Sequence, residues 1–191
     1  MRGKRLRQTL KLYTILTSTG RTKYLKDNNI FGAIGENCNV MNRTVPLYAK
    51  LVKLGNNVRL ASKVTFVTHD VSHVMLNANP TLEGEKFGEK IGCIEIKDNV
   101  FVGAGTSILY GVQIGSNVII GAGSLVNKDI PSNSVVAGVP AKVIGTFDDY
   151  IARRRNEGSY PSELAPHDET ISDEAAEWCW NEFYQAHPED K

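Results

Sequence analysis

Between Ile96 and Pro131 an aliphatic residue returns at every sixth position: Ile96, Val102, Ile108, Ile114, Ile120 and Val126. Gly103, Gly115 and Gly121 directly follow three of them, and small residues or Asn fill much of the intervening chain. A six-residue period matches neither the 3.6 of a helix nor the two-residue alternation of an open sheet. It predicts a triangular solenoid in which each unit supplies one short flat strand and one turn, and three units close a coil. The aliphatic residue points into the prism, while glycine and small residues let the chain bend at the corners. Repeats of this length are a signature of a parallel β-helix.

The same frame is legible upstream, with faults. Ile34 and Val40 are six apart and Pro46 takes the next slot; the frame then slips over 47–53 and resumes at Leu54, Leu60 and Phe66. From Leu54 to Ile96 the separation is again a multiple of six, although 67–95 is irregular and contains Pro80, Gly84, Gly88 and Gly92. About four to five coils of ~18 residues are expected, above the three needed for stability. Insertions in a solenoid map to surface loops, often on the binding face, so 67–95 is the candidate functional loop.

The flanks read differently. Residues 4–16 predict an amphipathic helix with Leu6, Leu10 and Tyr13 on one face. Past Ala137-Gly138-Val139-Pro140 the period ends. Residues 147–156 predict a helix with Asp148 and Asp149 near its start and Arg153, Arg154 and Arg155 near its end, an order that suits the helix dipole. The segment from Ser159 to Thr170 reads as a linker. A last helix is opened by Ser172 as N-cap and carries Ala175, Trp178, Cys179 and Phe183, whose aromatics are expected to dock on the solenoid or on a neighbouring subunit. The chain thus divides into a basic helical arm (1–29), a β-helix domain (30–146) with its insert, and a helical C-terminal extension (147–191).

Composition narrows the function classes. With 17 glycines and 41% hydrophobic residues, the 191-residue chain has the turns and the thin, axial core that a solenoid needs. No apolar run approaches the ~20 residues that span a bilayer. The basic N-terminus lacks the apolar segment and cleavage site of a signal peptide. Three separated cysteines, Cys38, Cys93 and Cys179, suggest neither a disulfide framework nor a zinc site, which makes a cytoplasmic location the expectation. Net charge is only +1, but residues 1–26 hold eight Lys or Arg and no acid, against twelve acids and four bases in 146–191. The neutral total and the lack of a recognition motif argue against nucleic acid. The basic arm reads first as a solvated basic helix, with weak association with an anionic membrane surface as the alternative.

Of four histidines, His167 and His187 fall in the tail, whereas His69 and His73 lie where a regular coil gives way to the insert. Thr68-His69-Asp70 follows the Phe66 core position, so His69 is held by a rigid strand on one side and faces a loop on the other. An imidazole with an ordinary pKa of about 6.5 offers a neutral base at neutral pH.

The run Val102-Gly103-Ala104-Gly105, Ile114-Gly115-Ser116-Asn117 and Ile120-Gly121-Ala122-Gly123-Ser124 resembles the hexapeptide-repeat acyltransferases. So does the close Val126-Asn127-Lys128-Asp129-Ile130-Pro131 followed by Ala137-Gly138-Val139-Pro140-Ala141-Lys142-Val143-Ile144-Gly145. Within them the chain is most similar to O-acetyltransferases of sugars and capsular polysaccharides, with galactoside, maltose and streptogramin acetyltransferases as relatives. The resemblance covers about residues 30–147. It implies an all-β solenoid, a left-handed parallel β-helix with short N-terminal and C-terminal helices. It also implies acetyl-coenzyme A as donor without a metal, a sugar or polysaccharide-precursor hydroxyl as acceptor, and a homotrimer with sites between subunits. His69 would be the general base, with Asp70 orienting it or stabilising its imidazolium. Ala104 and Ala122, one coil apart, would face the pantetheine arm, and Asn127, Lys128 and Lys142 the rest of coenzyme A. Asn77 and Glu83 of the insert are candidate acceptor contacts.

Three alternatives compete. An antibiotic acetyltransferase of the streptogramin or chloramphenicol kind is disfavoured because the insert lacks that branch's Asn-His-Arg triplet. A carbonic anhydrase of the gamma class needs three histidines, and no third partner for His69 and His73 occurs between 94 and 146. A non-catalytic solenoid scaffold would retain many of the coenzyme A elements.

Overall fold

The computed structural model describes residues 2–157, 161–165 and 170–188. In the three-residue strands of the first two sheets the two outer residues turn inward and the middle residue outward, as in Val100-Phe101-Val102 and Val112-Gln113-Ile114, whereas in the third sheet the middle residue turns inward. The six-residue period therefore marks only the second inward residue. The first lies two positions earlier, and in the strands at Ser107 and Leu125 it is Thr106 or Ser124, both buried. Their hydroxyls donate to the Gly121 carbonyl, at 3.2 and 2.6 Å, which satisfies two polar groups inside an aliphatic core.

The chain climbs through three parallel sheets in turn. The first stacks Ala33–Ile34, Val52–Leu54, Ile94–Ile96 and Val112–Ile114; the second stacks Asn39–Val40, Val58–Leu60, Val100–Val102, Val118–Ile120 and Ser134–Ala137; the third stacks Thr65–Val67, Ser107–Leu109 and Leu125–Val126. Register confirms the coil length, since Ile94 pairs with Val112, Val100 with Val118 and Ser107 with Leu125, three times the same step of three hexapeptides. Leu54 pairs directly with Ile96, so the long interval between them is one regular coil plus the excursion of the insert. Ile34 pairs with Leu54, a step slightly longer than the regular coil, which locates the frame slip in an enlarged first coil.

Two devices keep the coils stacked. After the core aliphatic the backbone of one coil lies against the next: a Cβ on Gly103 would fall 2.4 Å from the Ala122 nitrogen, and one on Gly115 2.5 Å from that of Ser132. Only glycine fits there. At the corner between the first and second sheets, Asn37, Asn57, Asn99, Asn117 and Asn133 each adopt a left-handed backbone, φ 52 to 59°. Their side chains form a ladder of amide hydrogen bonds of 2.9–3.0 Å from coil to coil. Asn tolerates this conformation and its short amide reaches the next rung. Asn99→Ala breaks two rungs and leaves an alanine at positive φ, so we expect a loss of about 2 kcal/mol in chemical denaturation; unchanged stability would mean that the ladder is ornamental.

Helix α1 spans Arg2–Thr14 and buries Leu12, with Leu6, Leu10 and Tyr13 exposed on its other side. A second helix, α2 (Ser18–Asp27), was not legible in the sequence: its threonines and a glycine dilute the pattern. Its Thr17 cap accepts from Gly20 N, and it buries Thr22, whose hydroxyl accepts from Val40 N at 2.8 Å, together with Leu25. After Ala137 the chain reverses into an antiparallel strand, Lys142–Thr146, that the six-residue pattern did not foretell.

The insert is a closed excursion. His69–Asp70 pairs antiparallel with Lys90–Ile91, His69 opposite Ile91 and Asp70 opposite Lys90. Between these strands lie α3 (Ser72–Asn77) and a tight turn at Pro80–Leu82. The Asn77 amide bonds both backbone groups of Phe87 at 2.9 Å, bracing the loop across its width.

Met1–Tyr150 and Ile151–Lys191 form two compact units. Helix α4 (Phe147–Asn156) occupies its expected range, with Asp148 and Asp149 in the first turn and three arginines in the last. In the second unit α5 (Asp173–Ala186) opens at Ser172, whose hydroxyl accepts from Ala175 N at 3.2 Å. Phe183 and Trp180 are exposed on α5, and Trp180 stacks on Tyr184. Of the expected linker, Ser159, Tyr160 and residues 166–169, His167 among them, lie outside the described residues. Among the described residues no helix is long and apolar enough to cross a membrane.

Candidate active site

The third sheet positions the candidate residues. Phe66, Ile108 and Val126 are register partners in successive coils. Continuing each strand by two residues puts Thr68, Tyr110 and Lys128 in one column along the sheet's exit edge. His69 therefore leaves the solenoid on the edge that carries Asn127 and Lys128 two coils away, about 10 Å at ~4.8 Å per strand.

Thr68 fixes the exit. It is fully buried, its hydroxyl donates to the Leu47 carbonyl at 2.7 Å, and its own carbonyl accepts from Gly92 N at 3.0 Å. The next residue, His69, is half-buried between this anchor and the antiparallel neck of the insert. Its ring meets that of Tyr48 edge-on, with centroids 5.2 Å apart and planes at 74°. His69 Nδ1 is buried and has no hydrogen-bond partner among the described residues, so the contact that fixes the ring is aromatic rather than ionic.

Asp70 is engaged elsewhere. Its Oδ1 accepts from Ser72 N at 2.7 Å, opening α3, and its Oδ2 accepts from the Tyr110 hydroxyl at 3.4 Å, tying the insert to the coil above. The Ser72 bonds, backbone first, hold the carboxyl below its ordinary range; burial opposes them, and Lys90 and Tyr110 add to the lowering. Among the described residues no hydrogen bond joins Asp70 to His69. Adjacent residues on a strand point to opposite faces, and here the aspartate's contacts run to the coil and the loop.

Tyr48 itself sits at a left-handed backbone position, φ 52°, in the enlarged first coil. Its phenol donates to both Glu89 oxygens, at 3.1 and 3.3 Å, and that bond raises its pKa above the usual 10. Tyr48, Glu89 and Tyr110 escaped sequence reasoning. The register would have found Tyr110, which stands on the coil next to that of Thr68; Tyr48 lay in the frame slip, and Glu89 among mixed charges without period.

Ala104 and Ala122 lie exposed at the opposite, entry edge of the third sheet, one coil apart, and Gly123 N donates to the Ala104 carbonyl at 2.8 Å. Asn127 and Lys128 are exposed just past Leu125–Val126. Lys142, exposed at the start of the final strand, follows Ala141, whose N–H donates to the Leu125 carbonyl at 2.8 Å. Within one chain, then, Asn127, Lys128 and Lys142 gather at the last coil, whereas the alanine corner and His69 stand on opposite edges of the sheet. Among the described residues no three His, Cys, Asp or Glu side chains converge to hold a metal ion.

Residues 94–128 match the family described as bacterial transferase hexapeptide (six repeats). The chain is 36% identical over 141 residues to a galactoside O-acetyltransferase of Lactococcus lactis subsp. lactis (strain IL1403), covering 63% of this chain and 65% of that protein. It is 44% identical over 99 residues to the galactoside O-acetyltransferase of Escherichia coli (strain K12), covering 51% of this chain and 45% of that one. A solved galactoside acetyltransferase in complex with coenzyme A superposes with a TM-score of 0.53 at 28% identity, over 90% of this chain and 88% of that one. Residues 94–128 thus carry the hexapeptide repeats that this family model describes, in coils similar to those of the solved galactoside acetyltransferase. The chain spans 45% to 65% of the length of these two curated relatives, and galactoside O-acetyltransferases are the kind of enzyme it is similar to.

Proposed function

We propose that this protein is an acetyl-coenzyme A-dependent O-acetyltransferase acting on a hydroxyl of a sugar or polysaccharide precursor, with His69 as general base. The observation that carries the reading is the fixed emergence of a half-buried His69 at the exit of the third sheet, anchored by the buried Thr68. With Nδ1 buried, Nε2 takes the proton from the acceptor hydroxyl as its oxygen attacks the thioester carbonyl. The tetrahedral intermediate collapses, the C–S bond breaks, and the imidazolium returns its proton to the departing thiolate. A backbone N–H near the cleft stabilises the oxyanion. Asp70 acts on this step through the insert, holding the strand that carries His69.

Coenzyme A lies along the alanine corner, where Ala104 and Ala122 leave backbone exposed to the pantetheine arm and Asn127, Lys128 and Lys142 meet the remainder. The lysines supply flexible positive charge for its phosphates. The separation of this corner from His69 within one chain supports a homotrimer in which the histidine edge of one subunit faces the alanine corner of the next. The solenoid winds left-handed, as the hexapeptide resemblance implies, and the enzyme works in the cytoplasm. The basic α1, with exposed Leu6, Leu10 and Tyr13, supports weak association with anionic membrane surfaces; vesicle cosedimentation unchanged by deleting residues 1–12 would refute it.

Calorimetric titration with coenzyme A tests the donor site. The wild-type protein is expected to bind, and Ala122→Trp, which places a bulky ring on the exposed corner, to lose binding by at least about a hundredfold without losing its oligomeric state. Undiminished binding in Ala122→Trp would place coenzyme A elsewhere.

A further inference from the structure

A cleft of about 560 Å³ opens between the first turns of α1 and the 45–51 strap. Ile30, Val45, Leu47, Leu51 and Ile91 give it an apolar floor, while Lys4, Arg5 and Lys50 stand in its walls and no acidic residue among the described ones lines it. Three cations in walls without an acid are a local concentration in a chain whose net charge is only +1. Lys50 Nζ bonds the Phe31 carbonyl at 3.3 Å and keeps further donors.

The cleft shares walls with the candidate base. Tyr48 lines it, and the same ring lies edge-on to His69 at 5.2 Å. Ile91 lines it too, and is the strand partner of His69. Tyr48 is thus common to the cleft and to the surroundings of the imidazole.

We propose that this cleft binds the non-reacting end of the acceptor, and that this end is an apolar body carrying a phosphate or carboxylate. The inference rests on His69 being the base of the acetyl transfer. An apolar floor gains by covering a hydrophobic body. Lys and Arg reward an anionic group with charge-assisted hydrogen bonds that a neutral glycoside does not offer. The acceptor is therefore a glycoside whose aglycone is hydrophobic and negatively charged, rather than a free neutral sugar.

Octyl phosphate, with octyl glucoside and inorganic phosphate as comparators, tests this by calorimetry on the full chain below the concentrations at which the amphiphiles aggregate. Octyl phosphate is expected to bind at least about tenfold more tightly than either comparator, and Lys4→Gln with Arg5→Gln to remove about tenfold while leaving octyl glucoside unaffected. Octyl phosphate should still bind His69→Gln, and should raise the KM for the acceptor in the wild type. Equal affinities for octyl phosphate and octyl glucoside would overturn the role of charge, and no binding of either would overturn the site. Acetyl transfer without probe binding would sink the cleft alone; probe binding without transfer to any hydroxyl would sink the enzyme reading and with it the acceptor's place here. Two sources of such a ligand separate by kcat/KM on a farnesyl-phosphate-linked sugar and on a phosphorylated 4-nitrophenyl glycoside. The better substrate names the source, and parity of both with their dephosphorylated analogues would refute the proposal.

Discussion

His69→Ala is expected to lower kcat for acetyl transfer by about 10²–10⁴, the range that a positioned general base supplies, while coenzyme A affinity and oligomeric state stay unchanged. The expectation follows from the geometry of the strand exit. Thr68 is fully buried and bonded to Leu47 and Gly92, so the backbone that presents the imidazole does not depend on the imidazole. His69 itself is only half-buried, and its removal leaves the core intact. An alcohol attacks a thioester slowly unless its proton is taken during the attack, so the loss falls on kcat. Asp70→Asn should cost less and differently: its carboxylate holds Ser72 and Tyr110 rather than the base, so the variant loosens the insert and raises the KM for the acceptor. A larger loss of kcat in Asp70→Asn than in His69→Ala would reverse these roles.

Mixing two inactive variants should restore activity. His69→Ala destroys the base edge and Ala122→Trp the donor corner, and the two edges lie on opposite sides of the third sheet. If each site is built from the histidine edge of one subunit and the alanine corner of its neighbour, random reassembly of a 1:1 mixture leaves about one interface in four with both halves intact. Activity is therefore expected to rise from near zero to about a quarter of wild type after the mixed subunits are dissociated and reassembled. Complementation without subunit exchange, or none after proven exchange, would contradict a shared site.

The coil was legible because the thin interior of a triangular prism is filled mainly by aliphatic side chains. That steric demand writes a period of six into the chain, and Ile96 through Val126 obey it without exception. The separation of Leu54 and Ile96 was already a multiple of six in the sequence, and the two pair directly in the fold. Hidden features are those whose cause is non-local. The antiparallel neck at His69 and Ile91 is set by backbone pairing across the whole insert, with no side-chain pattern to betray it. Helix α2 is held by burying Thr22 and Leu25 under the first coil rather than by helix propensity. At the site, His69 was singled out by its place between a regular strand and the insert, and its role as base came from the family resemblance. Tyr48 and Glu89 were missed because they reach it only after the enlarged first coil and the returning limb of the insert have folded against each other.

Thiol release from acetyl-coenzyme A, followed with galactosides, phosphorylated glycosides, glycan precursors, streptogramins and chloramphenicol offered as acceptors, decides whether the protein transfers acetyl groups to sugars. Release is expected to depend on a sugar acceptor, to match the O-acetyl product in amount, and to vanish in His69→Ala. Release that depends on an antibiotic alone would move the protein to another substrate class. Tight coenzyme A binding with no acceptor-dependent release would contradict the account and leave a solenoid that binds the donor without performing the transfer.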